Sequence, residues 1–251
     1  MHRFFLPREA FAGDWVVITQ AGTIHHIRDV LRLGWSDEIV CLDNSGWEYQ
    51  VVLDQIGDGR ITGQIRGKHL CTGEPRVKVS LYQSVLKGDR FEWVLQKGTE
   101  IGVSEYVPML SERCIVQDAN QLSRRKALRW EKVIQGAAEQ SRRGRLPPLQ
   151  PMVLFAAACE RVRSSAGLAL IPWEEESTPL RQVLEGAGRD HRPFNVSLLV
   201  GPEGGFSGNE VQLARDYGAI PVSLGPRILR AETAGVVAAA LVLYHYGDLE
   251  R

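Results

Sequence analysis

The 251-residue chain is long enough to form one large domain or two small ones around a buried core. Its content of 44% hydrophobic and 24% charged residues is that of an ordinary globular protein. No apolar run has the length of a signal peptide or a membrane span, so we expect a cytoplasmic protein without membrane partners. Four widely spaced cysteines without a C-x-x-C pair predict reduced thiols rather than disulfides or zinc: Cys41, Cys71, Cys114 and Cys159.

The net charge is zero, but the charge is unevenly distributed. Residues 74–150 carry 14 basic and 9 acidic side chains, whereas 1–73 carry 7 and 9, and 151–251 carry 9 and 12. A neutral protein can therefore present a basic face, which is compatible with a polyanionic partner.

Residues 1–72 have the pattern of a small β-rich domain. Strand-like runs at 16–19, 38–42, 49–56 and 60–65 are separated by turn signals, and residues 24–33 form one helical insert closed by Gly34. Short strands at this spacing predict a small barrel, with Phe4 and Phe5 in its core.

The pattern changes after a linker at 71–75 to alternating strands and helices, which predicts a parallel α/β sheet. Strands are expected at 77–85, 106–110 and 167–171, and a helix at 89–101. Between them, residues 119–145 form a basic helical element that ends in Arg142, Arg143 and Arg145. The arginine fork suits phosphate, so we favour contact with an RNA backbone over a merely solvated cluster.

The stretch 197–246 reads as strand, glycine loop, helix, strand, second loop and long helix. Gly201-Pro202-Glu203-Gly204-Gly205 breaks the first strand, and Ser207 with Glu210 forms a capping box that begins a helix at Gly208. A second strand at 220–224 leads into another loop at Gly225. Loops at the carboxyl ends of adjacent strands bind ligands in α/β sheets. Neither loop matches a dinucleotide fingerprint or a P-loop, and residues alone indicate a nucleoside-like ligand.

Three motifs resemble those of the SPOUT-superfamily 16S ribosomal RNA uracil-N3 methyltransferases. They are LLVGPEGGFSGNE at 198–210, LGPRILRAETA at 224–234 and LKGDRFEWVLQKGTEIGVSEYVPMLSERC at 86–114, in which Gly98 and Ile101 depart from the Ala and Leu expected there. The resemblance implies a trefoil-knotted, parallel-sheet α/β domain over 73–251, preceded by a PUA-like RNA-binding β-barrel over 1–72. It also implies S-adenosylmethionine as cofactor, 16S rRNA of the 30S subunit as substrate, and a homodimer.

The resemblance places the cofactor on the two loops and the strand ends before them, with the loop after 171, including Trp173, as a third wall. The implied cofactor residues are Leu199, Val200, Gly201, Pro202, Glu203, Gly204, Gly205, Leu224, Gly225, Ile228, Leu229, Arg230 and Thr233. Uracil N3 carries a proton, so the site needs a general base or cations that stabilise the uracil anion. The resemblance also covers Glu139-Gln140-Ser141-Arg142 and implies that this turn lies near the substrate. The catalytic candidates on the matching segments are Arg230, ranked first for contact with the uracil or the methionine carboxylate, with Glu100, Glu139, Arg113 and Arg142.

Further options stay open at the level of sequence. Glu203 and Glu232 are also candidate bases, or else hold their own loops in shape. No metal-ligand spacing is present, and we expect no metal. Helix 231–246 is apolar on nearly every face, which predicts burial in the core and partly against a second subunit. Alternatives to uracil-N3 methylation are ribose 2′-O-methylation and RNA binding by a non-enzymatic, degenerate knot; the intact loops disfavour the latter.

Overall fold

The computed structural model describes residues 1–115, 124–187 and 193–250. They divide into two compact units: the first consists of 1–74 together with 138–146, and the second of the remaining described residues. The first unit therefore extends two residues past the expected boundary at 72. It also takes in a segment that the sequence pattern assigns to the α/β part of the chain.

The first unit is built on one six-stranded sheet. Its elements are β1 (His2–Phe5), β2 (Phe11–Ala12), β3 (Trp15–Ile18), α1 (Ala21–His25), β4 (Glu38–Leu42), β5 (Trp47–Ile56) and β6 (Ile61–Leu70). The strand order is β1-β4-β5-β6-β3-β2, with only the β1–β4 pair parallel. Four of these strands match predicted runs, whereas the short β1 and β2 were not predicted. The predicted helix 24–33 is wrong in its bounds, because α1 begins earlier and continues as a π-helical turn, His26–Val30.

Segment 138–146 completes the core of the first unit. Phe5 is buried, as predicted, and packs with Val40 and Leu42 against Ala138, with Leu146 beside them. Two hydrogen bonds also connect this segment to the rest of the unit. The Phe5 N–H donates to the Glu139 carboxylate (3.1 Å), and the Leu146 N–H donates to the Asn44 side-chain oxygen (2.7 Å). Residues distant in sequence are thus needed to cover β1 and β4.

The second unit contains a six-stranded sheet in which every pair is parallel, as predicted, in the order β12-β10-β11-β7-β8-β9. Its elements are β7 (Lys78–Ser84), α2 (Arg90–Ile101), β8 (Glu105–Leu110), α3 (Arg124–Gln140, whose last turn joins the first unit), β9 (Val153–Leu154), α4 (Phe155–Ser164), β10 (Leu168–Pro172), α5 (Leu180–Gly186), β11 (Asn195–Val200), α6 (Gly208–Asp216), β12 (Ile220–Val222) and α7 (Ala231–His245). The elements β9, α4 and α5 were not predicted.

Helices cover both faces of this sheet. Apolar side chains of α2, α3, α5 and α7 form the core on one face, and those of α4 and α6 form the core on the other. Because all strands are parallel, β7, β8, β10, β11 and β12 end at the same edge, and the loops that follow them meet there. The candidate functional site lies at this carboxyl edge of the sheet.

The described residues bear on the state of the cysteines, on possible metal-binding clusters and on possible membrane-spanning helices. The four cysteines are free thiols, of which Cys41, Cys114 and Cys159 are buried. Within the described ranges, no cluster of three or more His, Cys, Asp or Glu side chains is arranged to hold a metal ion. No helix in the same ranges is both long and apolar enough to cross a bilayer.

Candidate functional site

A cavity of about 810 Å³ opens at the carboxyl edge of the parallel sheet. Its walls are three loops of the second unit: 173–179 after β10, 201–206 after β11 and 223–230 after β12, with the beginnings of α2 and α7 beside them. Cavities of this size hold drug-sized or cofactor-sized molecules. We call 201–206 the first glycine loop and 223–230 the second.

The backbone of the first glycine loop favours glycine most strongly at position 205. Gly205 has φ of +67°, which side chains rarely adopt, and a Cβ there would collide with the Glu174 carboxylate. Its N–H donates to the Pro202 carbonyl (3.0 Å) and closes a tight turn. A Cβ on Gly201 would lie 3.2 Å from the Phe206 ring. The loop is therefore a close-packed turn of backbone groups.

Side chains from neighbouring loops anchor this turn. The Glu203 carboxylate accepts a hydrogen bond from the Lys87 N–H (3.1 Å) and another from the Arg90 guanidinium (3.2 Å). The Arg113 guanidinium donates to the Gly204 carbonyl (2.9 Å). The segments that follow β7 and β8 thus hold the first glycine loop, in part through the Glu203 carboxylate.

The helix after the first glycine loop begins with the predicted capping box. Ser207 accepts from the Glu210 N–H, and the Glu210 carboxylate accepts from the Ser207 N–H. Two further bonds extend the network: the Ser207 hydroxyl donates to the Glu112 carboxylate (2.6 Å), and the Glu112 N–H donates to the Glu210 carboxylate (2.8 Å). The cap therefore joins the segment after β8 to α6 and leaves the loop little freedom.

The second glycine loop is far more exposed. Gly225 has φ of +111°, with open space around it, and its N–H donates to the Ser223 hydroxyl (3.3 Å). Ile228 lines the cavity yet is 89% exposed to solvent. Arg230 ends the loop as the N-terminal flanking residue of α7 and also exposes its side chain.

The third wall is organised by Glu176. Its carboxylate accepts from the N–H and hydroxyl of Thr178, from the Ser177 N–H and from the Arg215 guanidinium. The bonds from Thr178, then Ser177, and the charge of Arg215 lower the pKa of Glu176 below its ordinary value of 4.5. The backbone N–H of Trp173 donates to the Val222 carbonyl (3.1 Å), which joins this wall to the end of β12.

The structure brings together ten of the thirteen residues that the resemblance assigns to the cofactor. Those lining the cavity are Val200, Gly201, Pro202, Glu203, Gly205, Leu224, Gly225, Ile228, Leu229 and Arg230. Leu199 instead packs in the core on the α4/α6 face, because side chains alternate along a strand and Val200 takes the other face. Gly204 and Thr233 are adjacent to lining residues without lining the cavity themselves.

Of the five catalytic candidates, the structure brings only Arg230 to the cavity. Arg113 reaches it indirectly, through its bond to the Gly204 carbonyl. Glu100 is paired with Lys97 (2.8 Å) in the last turn of α2. That turn lies at the opposite edge of the sheet, because a helix between two parallel strands runs antiparallel to them. Glu139 and Arg142 belong to the first unit, where Glu139 accepts the Phe5 N–H.

The predicted cluster of three exposed arginines needs a correction. Arg143 is 3% exposed and donates to the Glu74 carboxylate (2.8 Å), which also accepts the N–H groups of Gly144 (3.0 Å) and Arg145 (3.1 Å). Burial would raise the pKa of Glu74, but the bonds and charge of Arg143 outweigh it and hold that pKa below 4.5. Arg143 is therefore structural, and Arg142 and Arg145 are the exposed members. The first five residues of the predicted basic element, 119–123, lie outside the described residues.

Sequence reasoning missed Arg90, the first residue of α2, which lines the cavity and contacts Glu203. Its position after β7, a strand of the same parallel sheet, was the available signal. Two lining residues carry buried polar atoms without a partner: the indole nitrogen of Trp173 and one carboxylate oxygen of Glu232. An unpaired donor and an unpaired acceptor beside one cavity fit a polar ligand such as S-adenosylmethionine.

Comparison with known proteins shows the family of the chain. The chain matches the model of an RNA methyltransferase domain over residues 73–243. It is 33% identical to the ribosomal RNA small subunit methyltransferase E of Synechocystis, over 96% of this chain and 77% of that protein. With the Bacillus subtilis protein of the same name it shares 30% identity, over 88% and 87% of the two chains.

A solved relative has the same fold along nearly its whole length. The ribosomal RNA small subunit methyltransferase E of Neisseria gonorrhoeae, whose structure contains bound S-adenosyl methionine, superposes with a TM-score of 0.86 at 32% identity, over 97% of each chain. The fold, the cavity and the domain match define an RNA methyltransferase. The chain belongs to the family of ribosomal RNA small subunit methyltransferase E, which confirms the family predicted from the three motifs.

Proposed function

We propose that this protein transfers a methyl group from S-adenosylmethionine to N3 of a uridine in the 16S rRNA of the 30S subunit. The observation that carries the proposal is the carboxyl-edge cavity, because its two glycine loops are the segments that bear the family motifs. The relatives in Synechocystis and Bacillus subtilis are named for methylation of small-subunit ribosomal RNA. The relative in Neisseria gonorrhoeae was solved with the methyl donor.

The cavity has the groups that such a donor needs. Backbone groups of the first glycine loop suit the adenine edge, and the side chains of Leu224 and Leu229 supply apolar contact. Trp173, on the third wall, offers an indole ring whose N–H has no partner within the described residues. S-adenosylmethionine, when bound, supplies a methyl group made electrophilic by a positively charged sulfur.

The residues of the chain have to make uracil N3 nucleophilic and align it with that methyl group. N3 becomes a good nucleophile only when its proton passes to a base or to water, and the negative charge then spreads over the adjacent carbonyl oxygens. Arg230 presents an exposed guanidinium at the cavity, and we assign to it the stabilisation of this charge. We assign to Arg113 an indirect role, because it donates to the Gly204 carbonyl and so positions the first glycine loop.

Exposed basic residues are available for the RNA backbone in each unit. In the first unit these are Arg142 and Arg145; in the second they are Arg124, Arg125 and Lys132 on α3. We propose that they contact RNA phosphates, and that the sheet of residues 1–74 acts as a PUA-like barrel for RNA binding. The two functional domains would then divide near residue 72, as the sequence predicts.

Helix α7 supports a homodimer. Its residues Ala238, Ala239, Val242 and Leu243 are buried, whereas Leu241 and Tyr244 are 42% and 63% exposed. An exposed apolar face on a largely buried helix suits a second copy of the chain, since twofold pairing is the commonest assembly. We also propose that the second unit is threaded as the family's trefoil knot and that the protein acts in the cytoplasm.

The test is to incubate small subunits, and separately naked 16S rRNA, with the protein and methyl-labelled S-adenosylmethionine, and then to digest the RNA to nucleosides for mass spectrometry. Label in 3-methyluridine is the expected result, and the substrate that takes it up identifies the natural state of the RNA. Label on a ribose oxygen would retain the cofactor and contradict the proposed reaction. Binding of the cofactor without label in either substrate would contradict the proposed RNA.

A further inference from the structure

The Glu232 carboxylate lies at the cavity, and one of its oxygens has no hydrogen-bond partner within the described residues. Glu232 lies in the first turn of α7 and lines the cavity, with its side chain 13% exposed. Its Oε1 lies 3.9 Å from the Nε atom of Arg90. Its Oε2 is buried and has no hydrogen-bond partner within the described residues.

The other acidic side chains of the cavity do not share this property. Glu203 accepts from Lys87 and Arg90, and Glu176 accepts from its own loop and from Arg215. Glu174 is exposed to solvent. Among the carboxylates that line the cavity, Glu232 is thus the one that combines burial with an unpaired oxygen.

A buried carboxylate oxygen without a donor is unfavourable, since the lost hydration is not replaced. The helix dipole explains why an acidic residue is tolerated in the first turn of α7, but it leaves Oε2 unpaired. A ligand with a positive charge in the cavity would offset the charge of this carboxylate, which lines the cavity. The Arg90 guanidinium, itself paired with Glu203 (3.2 Å), lies 3.9 Å from the other oxygen of the carboxylate and helps to position the side chain.

We propose that Glu232 recognises the positive charge of the methyl donor and that Arg90 positions its carboxylate. This inference rests on the proposed function, because S-adenosylmethionine carries two positive groups, the sulfonium and the α-ammonium. An anion at this place favours the charged donor over its uncharged fragments. It also gives Glu232 a role on the donor side of the reaction, rather than as the base for the uracil proton.

Three adenosine ligands separate the possibilities in a calorimetric titration of the full-length protein. S-adenosylmethionine has both positive groups, S-adenosylhomocysteine has only the ammonium, and 5′-methylthioadenosine has neither. The variant is Glu232→Gln, which keeps the shape and removes the charge. The matched control is Glu175→Gln, which removes an exposed carboxylate from the third wall without touching the cavity.

We expect Glu232→Gln to bind S-adenosylmethionine about tenfold more weakly, as for the loss of one charge-assisted contact. It should bind 5′-methylthioadenosine within about twofold of the wild type. Equal weakening for S-adenosylhomocysteine identifies the ammonium as the partner, and unchanged affinity for it identifies the sulfonium. Arg90→Lys should give a smaller loss with the same pattern, and Glu175→Gln should change none of the three affinities.

Two results would overturn the inference. Loss of 5′-methylthioadenosine binding to the same extent as the donor would show that Glu232 only maintains the shape of the cavity. Unchanged binding of all three ligands, with slower methylation, would move Glu232 to the acceptor side of the reaction. Failure of the proposed function is distinguishable, because it would appear in the wild type as absent donor binding or absent label in 3-methyluridine.

Discussion

The two glycine loops face each other across one cavity but are held in different ways. The first has a tight turn, two side-chain contacts (Glu203 with Arg90, and Arg113 with the Gly204 carbonyl) and a capped helix behind it. The second exposes most of its residues, including Ile228 at 89%. We therefore expect the first loop to be preformed for the ligand and the second loop to gain most of its contacts when the ligand binds.

Substitutions in the two loops should therefore differ in their effects on protein stability and on ligand affinity. Changes in the first loop should alter protein stability and ligand affinity together, because the same packing serves both. Changes in the second loop should alter affinity alone, because its side chains contribute little to the folded state without the ligand.

The largest effect is expected for Gly205→Val. A β-branched side chain is strained at φ of +67° and would also meet the Glu174 carboxylate. We expect the affinity for S-adenosylmethionine to fall by about a hundredfold or more, with a lower melting temperature. The control is Gly208→Ala, where the added methyl has open space at a helix start. Wild-type affinity in the Gly205 variant would contradict a preformed first loop.

A smaller loss is expected for Arg113→Ala. The Gly204 carbonyl loses its donor, and one such hydrogen bond contributes about 1 kcal/mol, or about fivefold in affinity. Calorimetry with S-adenosylmethionine measures the loss, and Arg181→Ala, which removes a surface arginine paired with Glu185, serves as the control. Equal affinities for the two variants would show that the loop keeps its shape without this anchor.

Ile228→Ser tests the second loop. The side chain is almost fully exposed, so the melting temperature should stay within about 1 °C of the wild type. If the loop folds over the ligand, the affinity for S-adenosylmethionine should fall about threefold, since some apolar contact is lost. Should the melting temperature fall while affinity holds, the contrast between the two loops would be reversed.

The smallest effect concerns the third wall and pH. The pKa of Glu176 is lower in the folded protein than its ordinary value of 4.5. Its stabilising contribution is therefore complete above about pH 4.5 and is lost as the pH falls through the folded-state pKa. Thermal unfolding between pH 6 and pH 3 should show a slightly steeper acid loss for the wild type than for Glu176→Gln. Parallel curves would mean that the wall does not depend on this charge.

Much of the parallel sheet was predictable, because its signals are local. The run at 197–200, the glycines after it and the capping box of Ser207 with Glu210 follow from a few neighbouring residues each. The order of the strands was not predictable, since nothing in a strand's own sequence says which strand lies beside it. Short elements such as β1 and β9 were missed for a related reason: two to four residues carry too little periodicity.

The sequence also does not predict which of two adjacent arginines, Arg142 and Arg143, is buried. Adjacent residues of one type look alike in sequence, yet Arg142 is exposed and Arg143 is buried against Glu74. The partner lies 69 residues away, so only the folded chain separates the buried, structural arginine from the exposed one.

By itself, the sequence determined the alternation of strands and helices, the two glycine loops and, through its motifs, the family. These are properties of contiguous residues, set by backbone preference and by short-range hydrogen bonds. Only the tertiary structure decided that Arg90 and Glu232 share the cavity, that Glu100 lies at the far edge of the sheet, and that segment 138–146 completes the first unit. Each of those facts is a contact between distant parts of the chain, and its partners are fixed only when the hydrophobic cores have packed.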